Sequence, residues 1–258
     1  QRNKREIPIM AINAGPKIIE DGLVFYVDAA NPRSYPSTNN EWNDLTPNGY
    51  NGQLINGASH NQEGNGSMFF DGSNDYVSGV ANLGNVSLDV SDKFTVSFWM
   101  NSITKGRGAG IINISNSSND TTFVIWLRPE AGGYIGCFAR QTDGSSLYSS
   151  EGGGGAGSLP NNEWRYCTFV KNGNSASNLD WRFDNGVELG YRYRIYDSTP
   201  TTIRETDGSV FFGWSRSNAG GNTNQYYNGY LSNLSIYNRA LTTEEIKRNY
   251  NATKWRFQ

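Results

Sequence analysis

Short runs in which apolar and polar residues alternate recur along most of the chain. The clearest is FTVSFWMNS, residues 94–102, where every second side chain is large and apolar. A period of two sends alternate residues to opposite faces, so we predict a half-buried strand here. Similar runs are GLVFYVDAANP, GIINIS, TTFVIWLRPE, GYIGCFAR, EWRYCTFVKNG and SVFFGWSRS. A dozen or so such strands, separated by turn-forming residues, predict an all-β fold: a two-sheet antiparallel jelly-roll sandwich.

Two segments predict hairpins. In SMFFDGSNDYVSG, residues 67–79, turn formers separate two apolar runs, and LDWRFDNGVELGYR contains an Asp-Asn-Gly turn. The first segment also resembles the start of a calcium loop. An EF-hand needs Gly at position six and Glu at position twelve, which are Tyr76 and Asn82 when counted from Asp71. The hairpin is therefore the preferred interpretation, with Asp71 and Asp75 stabilising the turn.

The two ends of the chain differ from the middle. TTEEIKRNYNATK predicts a short C-terminal helix, because Thr242 precedes Glu245 by three residues, as in a capping box. Residues 1–17 show no sustained period and predict an extended arm before a single jelly-roll domain at residues 18–258. The arm is either a flexible tail or an anchor on another subunit. Its candidate anchoring residues are Arg2, Lys4, Arg5, Ile7 and Ile9.

The amino-acid composition indicates an aromatic core, and the net charge limits the classes of binding partner. Hydrophobic residues make up 36% of the chain, whereas 30 residues are Gly and 13% are aromatic, which suits short strands with an aromatic core. Ten aromatic residues are candidates for that core: Phe69, Phe70, Phe94, Phe98, Trp126, Phe138, Phe169, Phe183, Phe211 and Trp214. The net charge of -2 gives no reason to expect nucleic acid or an anionic membrane as partner.

Export signals and cysteines bear on the cellular compartment in which the protein works. The sequence has no apolar run long enough for a transmembrane helix and no signal peptide, but it lacks an initiating Met, which leaves native export open. Cys137 and Cys167 lie in apolar, strand-like runs, and two buried thiols are preferred over a bridge.

At this point the sequence resembles a known family. The segments GLVFYVDAANPRSY, WNDLTPNGYNGQLING, MFFDGSNDYV, FTVSFWMNS, NNEWRYCTFVKNG and YNGYLSNLSIYNRALTTEEIKRNYNATK follow one another as in the laminin-G-like branch of the concanavalin A-like lectin/glucanase superfamily. The resemblance covers roughly residues 22–254. The segments VFYVDAANPRSY and NATKWRF are similar to segments of virion proteins of tailed phages, especially marine (cyanophage-like) ones, and of modules of secreted bacterial proteins.

The resemblance raises the question of catalysis, since the superfamily includes glucanases. Their strand-borne Glu-x-Asp-x-Glu pattern has its nearest match in ETDGS, residues 205–209, where Ser209 replaces the last Glu. His60 is the only histidine and is expected in a solvated loop. We therefore expect no enzyme activity.

The resemblance also implies a structural calcium at the edge of a sheet. The matching residues are Asp28, Asp44, Asn48 and Asn51. Calcium takes six to eight oxygen ligands, and this loop is rich in amide and carbonyl oxygens. However, Asn233 stands where relatives often carry an acid, which lowers the charge of any such site. Calcium and hydrogen-bonded Asx turns both stay open as interpretations.

A sugar site is predicted in GWSRSNAGGNTNQYYNG, residues 213–229, because an aromatic platform with amide groups suits pyranose rings. The candidates are Trp214, Arg216, Asn218, Asn222, Asn224, Gln225 and Tyr226. A plain surface turn is the alternative.

Two functions follow from these expectations. The first is a non-catalytic virion structural or decoration protein at the virion surface, held on capsid or tail proteins by the arm, with surface polysaccharide as a ligand. The second is a secreted or cell-surface carbohydrate-binding lectin module. A glycoside hydrolase is a distant third, and a homo-oligomer stays open.

Overall fold

A computed structural model describes residues 16–80, 93–104, 109–115, 121–128, 134–140, 146–150, 160–172, 179–188, 210–217 and 223–258. Within these ranges the chain forms eighteen strands: β1 (Leu23–Asp28), β2 (Glu41–Trp42), β3 (Gly52–Ile55), β4 (Ser59–Asn61), β5 (Ser67–Asp71), β6 (Tyr76–Val80), β7 (Phe94–Thr104), β8 (Ala109–Ser115), β9 (Thr121–Arg128), β10 (Tyr134–Arg140), β11 (Ser146–Ser150), β12 (Trp164–Lys171), β13 (Leu179–Asp184), β14 (Val187–Glu188), β15 (Val210–Phe212), β16 (Trp214–Ser217), β17 (Thr223–Tyr226) and β18 (Asn228–Tyr237). A helix, α1 (Thr243–Thr253), follows and runs into a 3-10 turn at Lys254–Arg256. Another 3-10 turn spans Glu63–Asn65.

The first sheet has the order β14-β13-β12-β7-β18-β5-β4, with antiparallel neighbours. Strand β18 pairs with β7 along one edge, and two strands, β5 and β1, divide its other edge between them. Its first residues, Asn228 to Leu231, pair with β5, and its later residues, Asn233 to Tyr237, pair with β1. One long strand thereby fixes the positions of three others.

The second sheet has the order β11-β10-β9-β8-β15-β6-β3-β2, and a separate two-stranded ribbon pairs β16 with β17. The two large sheets pack face to face around the main core. Phe25, Phe70 and Phe98 enter it from the first sheet, and Ile112, Ile125 and Phe212 enter it from the second. The predicted antiparallel sandwich is confirmed.

A second, smaller core lies on the outer face of the first sheet, under α1. Trp99 and Tyr166 from the sheet meet Leu241 and Ile246, and Trp99 stacks on Phe257 with ring centroids 4.2 Å apart. This corrects one expectation. We predicted β7 to be half-buried, but its first nine residues are buried on both faces because α1 covers the outer side. The predicted helix and the Thr242–Glu245 capping box are confirmed.

The N-terminal segment 16–20 is tied to the C-terminal helix. Arg248 Nε donates to the Lys17 carbonyl at 2.9 Å, and the Ile19 amide donates to Asn249 Oδ1 at 2.8 Å. Tyr237 donates its hydroxyl proton to the Ile19 carbonyl at 3.0 Å. The segment therefore continues the fold, and the predicted arm residues Arg2, Lys4, Arg5, Ile7 and Ile9 lie outside the described ranges.

The predicted hairpin at residues 67–79 is wrong, although its strands and its turn exist. Strand β5 belongs to the first sheet and β6 to the second, so the turn between them crosses from one sheet to the other. Asp75 Oδ2 accepts from the Asp71 amide at 3.0 Å, and Asp71 Oδ1 accepts from the Ser73 amide at 2.7 Å. The crossing lets Phe70 and Val77 both enter the core.

The other predicted hairpin is confirmed, with Asn185 and Gly186 as a two-residue turn in which both φ angles are positive. Among the predicted core aromatics, Phe70, Phe94, Phe98 and Phe169 are fully buried in the core.

Phe69, Trp126, Phe211 and Trp214 are only partly buried and lie outside the core cluster. The side chains of Phe138 and Phe183 lie outside the described part. Cys167 is buried in the core, whereas the side chain of Cys137 lies outside the described part, so the expectation of two buried thiols stays a prediction.

Candidate functional site

The ribbon of β16 and β17 leaves the second sheet at Gly213, where the chain bends with φ +79°. The Gly213 amide donates to the Ile111 carbonyl at 3.0 Å, and the Tyr227 amide donates to the Gly213 carbonyl at 2.9 Å. A Cβ at Gly213 would lie 2.6 Å from the Phe70 ring, so only glycine fits. The bend thus fixes where the ribbon begins.

Tyr227 anchors the other strand of the ribbon. Its side chain is fully buried, and its hydroxyl donates to the Asn101 carbonyl of the first sheet at 3.0 Å. Burial raises the pKa of Tyr227 well above its usual value, because a phenolate would be desolvated here. The hydroxyl therefore keeps its proton and the anchor holds over the whole neutral range.

The ribbon lies against strand β8. A Cβ on Gly110 would come within 2.5 Å of Ser215 Cβ and 2.6 Å of the Trp214 carbonyl carbon, so the two backbones are in close contact. Ser215 is buried on the side that faces β8. Residues that alternate with Ser215 lie on the opposite, outward side.

An aromatic and amide surface results, which we call the ribbon face and define as Tyr76, Phe211, Trp214, Asn224 and Tyr226. Trp214 lies opposite Tyr226 in the ribbon. The Trp214 ring packs edge-on against Phe211 at 4.8 Å and lies 6.0 Å from Tyr76. All four rings are partly exposed, and Asn224 is exposed. The rings of Tyr76, Phe211 and Trp214 hold one another in place, and part of each ring stays open to solvent.

The structure places only some of the predicted sugar residues together. Trp214, Asn224 and Tyr226 share the ribbon face, whereas Gln225 pairs with Ser215 and lies on the other side. Arg216 lies opposite Asn224 in register, and its side chain is outside the described part, as are Asn218 and Asn222 altogether.

Sequence reasoning missed Tyr76, which belongs to the ribbon face, and did not single out Asn113, a buried amide outside that face. Tyr76 begins β6, the strand after the crossing between the sheets. Because the sequence predicted a hairpin there, it predicted the wrong neighbours for Tyr76. Asn113 lies opposite Phe211 on β8, is fully buried, and has no hydrogen-bond partner for Oδ1 or Nδ2 among the described residues. A polar Asn113 between the apolar Ile112 and Ile114, both of which lie in the core, was the sequence feature that could have pointed to a buried amide.

The predicted calcium residues form a hydrogen-bonded loop. Asp44 Oδ1 accepts from the Tyr26 and Thr46 amides, and Asp44 Oδ2 accepts from the Thr46 hydroxyl and the Tyr50 amide. The amide of Asp44 donates to Asn51 Oδ1 at 3.0 Å. These contacts use both carboxylate oxygens as acceptors for protein donors.

The remaining two calcium candidates are also engaged. Asn48 Nδ2 donates to the Val24 carbonyl at 2.7 Å. Asp28 Oδ1 forms an ion pair with Arg256 at 2.7 Å and accepts from the Ala30 amide at 3.0 Å. Calcium needs six to eight oxygens with their lone pairs available. The residues as placed therefore do not fit a calcium ion, and they match the Asx-turn alternative.

Several other features bear on chemistry. Within the described ranges, no group of three or more His, Cys, Asp and Glu side chains is arranged to hold a metal ion. His60 does not lie in a loop: it is in β4, stacks on Tyr35 at 4.8 Å, and its Nε2 lies 3.0 Å from the Ala29 carbonyl oxygen. The ETDGS segment lies outside the described residues. No described helix has the length and apolar character needed to cross a membrane.

Comparisons with known proteins agree with the sandwich. The family model described as "Concanavalin A-like lectin/glucanases superfamily" matches residues 71–247. No curated protein sequence matches the chain. The binding domain of Paraclostridial Mosquitocidal Protein 1 superposes with a TM-score of 0.60 at 18% identity, covering 90% of this chain and 52% of that one. The present chain thus spans about half of that structure.

Two other solved structures with this fold come from sugar-acting proteins. Domain 4 of AbnA, a GH43 extracellular arabinanase from Geobacillus stearothermophilus, in complex with arabinotriose, has a TM-score of 0.53 at 16% identity and covers 90% of this chain and 100% of that one. Trypanosoma rangeli sialidase in complex with the inhibitor DANA has a TM-score of 0.56 at 12% identity and covers 93% of this chain and 34% of that one. At these identities the likeness shows the fold alone.

Proposed function

The chain belongs to the concanavalin A-like lectin/glucanase superfamily, and we propose that it is a non-catalytic carbohydrate-binding module whose ribbon face holds a saccharide. The observation that carries this proposal is the arrangement of Trp214 opposite Tyr226 on a ribbon whose other side is fixed to β8. Partly exposed rings on a rigid support offer apolar surface to a ligand at a low entropic cost of ordering.

The chemistry of the ribbon face suits a sugar ring. One face of a pyranose carries C–H groups that pack on an aromatic ring, and its hydroxyls need amide or carbonyl partners at the edge. Trp214 supplies the ring surface, and the exposed Asn224 supplies a donor and an acceptor two strand positions from Tyr226. None of the five described residues that define the ribbon face carries a carboxylate, the group that glycoside hydrolysis uses.

The solved structures add support of a general kind. AbnA domain 4 was solved with arabinotriose, and the mosquitocidal protein structure is a binding domain. The same sandwich therefore serves other chains as a recognition module. Since these chains share under a fifth of their residues with this one, the sugar itself has to be found by experiment.

The experiment is a glycan array with the folded chain, run once with calcium and once with EDTA. We expect a specific signal that survives EDTA, because the loop of Asp44 does not fit calcium. Asn224→Ala should lower affinity for the recognised glycan about tenfold, the effect of one lost hydrogen bond to a polar ligand. Asn39→Ala is the matched control, since Asn39 is exposed and distant in sequence from the ribbon. A blank array from folded protein would refute the proposal.

The finer interpretation, display of this module on a tailed-phage virion through the arm, stays a prediction and rests on the sequence resemblance. Its test is attachment to particles with and without residues 1–15. Attachment that does not need those residues would contradict an anchoring arm, whatever the glycan array gives.

A further inference from the structure

A cleft of about 560 Å³ lies at the seam between the two ends of the described chain and shares no lining residue with the ribbon face. Its walls are the segment Pro16–Glu20, the end of β1, the loop at residues 45–47 and the C-terminal turn. This volume lies within the usual range for sites that take small molecules or single sugar rings.

Trp255 stands at this cleft and is 68% exposed, the most exposed large hydrophobic side chain among the described residues. Its indole N–H donates to the Ala252 carbonyl at 3.2 Å, which holds the ring in one orientation. An exposed indole that is already fixed is an aromatic platform that loses little freedom when a ligand covers it.

The floor of the cleft is an ion pair that is largely shielded from water. Arg256 donates to Asp28 at 2.7 Å, to the Gly66 carbonyl at 2.9 Å and to Ser232 Oγ at 2.7 Å. Its Nε is buried and has no hydrogen-bond partner among the described residues. Within the described ranges, the contact to Asp28 Oδ2 is a long one of 3.4 Å, from the Tyr26 hydroxyl. The floor therefore retains an unused donor and an almost unused acceptor.

The rim carries excess positive charge. Three cationic side chains (Lys17, Arg33 and Arg256) and two carboxylates (Glu20 and Asp28) line the cleft. The pair of Asp28 and Arg256 neutralises itself, which leaves Lys17 and Arg33 against Glu20. Neither Lys17 nor Arg33 has an ion pair within the part of the chain that the structure describes. A ligand with a carboxylate would complement this rim.

We propose that this cleft is a second binding site and that it takes a saccharide residue carrying a carboxylate, of the uronic acid class. The sugar ring packs on Trp255, its carboxylate meets Arg33 and Lys17, and a hydroxyl donates to Asp28 Oδ2. The inference goes beyond the proposed function, because it needs neither the ribbon face nor the aromatic residues that form it.

The test compares trigalacturonic acid with its methyl ester, which keeps the sugar rings and removes the charge. Titration calorimetry with the full chain should give about tenfold tighter binding of the acid, as expected for one charge-assisted contact. Arg33→Ala should reduce this preference to the contribution of Lys17, and Trp255→Ala should weaken the binding of both ligands. Both side chains reach the surface, so the variants should keep the unfolding midpoint of the wild type.

Controls separate this site from the ribbon face and from a general charge effect. Lys247→Ala removes an exposed charge on α1 outside the cleft and should leave binding unchanged. Trp214→Ala should also leave it unchanged; loss of binding there, with Trp255→Ala still binding, would overturn this inference and favour the ribbon face. Equal affinity for acid and ester, or no binding of either, would overturn it too. Binding that appears only when residues 1–15 are removed would also overturn it for the full chain, because it would mean that those residues compete for the cleft.

Discussion

Replacing Asp28 by Asn should destabilise the fold strongly, because it leaves a buried guanidinium without its counter-charge. The Arg256 side chain is 4% exposed and Asp28 is 16% exposed, and the pair joins the end of β1 to the C-terminal turn. Removing one partner of a buried pair costs about 3–5 kcal/mol. We expect the lower end, about 3 kcal/mol, because Arg256 keeps its bonds to Gly66 and Ser232.

The loss can be measured by urea unfolding and by thermal unfolding. For a chain of 258 residues, about 3 kcal/mol corresponds to a fall of roughly 6–12 °C in midpoint. Asp21→Asn is the matched control, since Asp21 also pairs with an arginine but its side chain is 85% exposed. That control should cost less than about 1 kcal/mol.

Salt gives a second readout of the same reasoning. An exposed pair is screened at high ionic strength, whereas a pair shielded from water is screened much less. The penalty of Asp28→Asn should therefore persist in 1 M salt (about 3 Å screening length). A penalty no larger than that of Asp21→Asn, or one that salt removes, would refute the description of this pair as buried.

Three further predictions address the helix cap, the ribbon and calcium. The hydrogen bond from Arg239 holds the pKa of Glu245 below its usual value, so this pair stabilises the fold above about pH 4.3, and the stabilisation is lost as the pH falls through the folded-state pKa. The unfolding free energy of Glu245→Gln should therefore be lower than that of the wild type at pH 7, and the two values should converge in acid. A difference that stays constant with pH would contradict this. Gly110→Ala should push the ribbon off β8 and lower glycan affinity about tenfold, whereas Gly49→Ala, where an added Cβ meets nothing within 4 Å, should leave affinity unchanged. Millimolar calcium and EDTA should give unfolding midpoints within about 1 °C of each other, and a rise of several degrees with calcium would show that the loop of Asp44 rearranges to bind it.

The alternation of apolar residues predicted strands well but not the sheet in which each strand lies. Phe70 and Val77 both point into the core whether their strands form a hairpin or cross between sheets, so the pattern at residues 67–79 was the same for both arrangements. The Asn185–Gly186 hairpin was predictable because a two-residue turn with positive φ angles leaves no alternative path.

Adjacent aromatic residues account for part of the errors in the predicted core. In Phe211–Phe212 one ring enters the core and the other lies on the ribbon face, and sequence alone cannot choose which. For the calcium candidates, the sequence left calcium and Asx turns open. The carboxylate of Asp44 is chemically suited to bind a metal ion, but its oxygens accept hydrogen bonds from amides and a hydroxyl that only the folded loop brings near. Trp214, Asn224 and Tyr226 were predictable as a set because they share one ribbon.

The seam between segment 16–20 and α1 has a mechanical consequence. Its bonds, from Arg248 to Lys17 and from Ile19 to Asn249, lie side by side next to both ends of the described chain. Tension applied at residue 16 would therefore load these two bonds before it loads β1, so segment 16–20 would detach from α1 while the C-terminal turn stays held by the pair of Arg256 and Asp28. The sandwich and the ribbon face would keep their shape during that step.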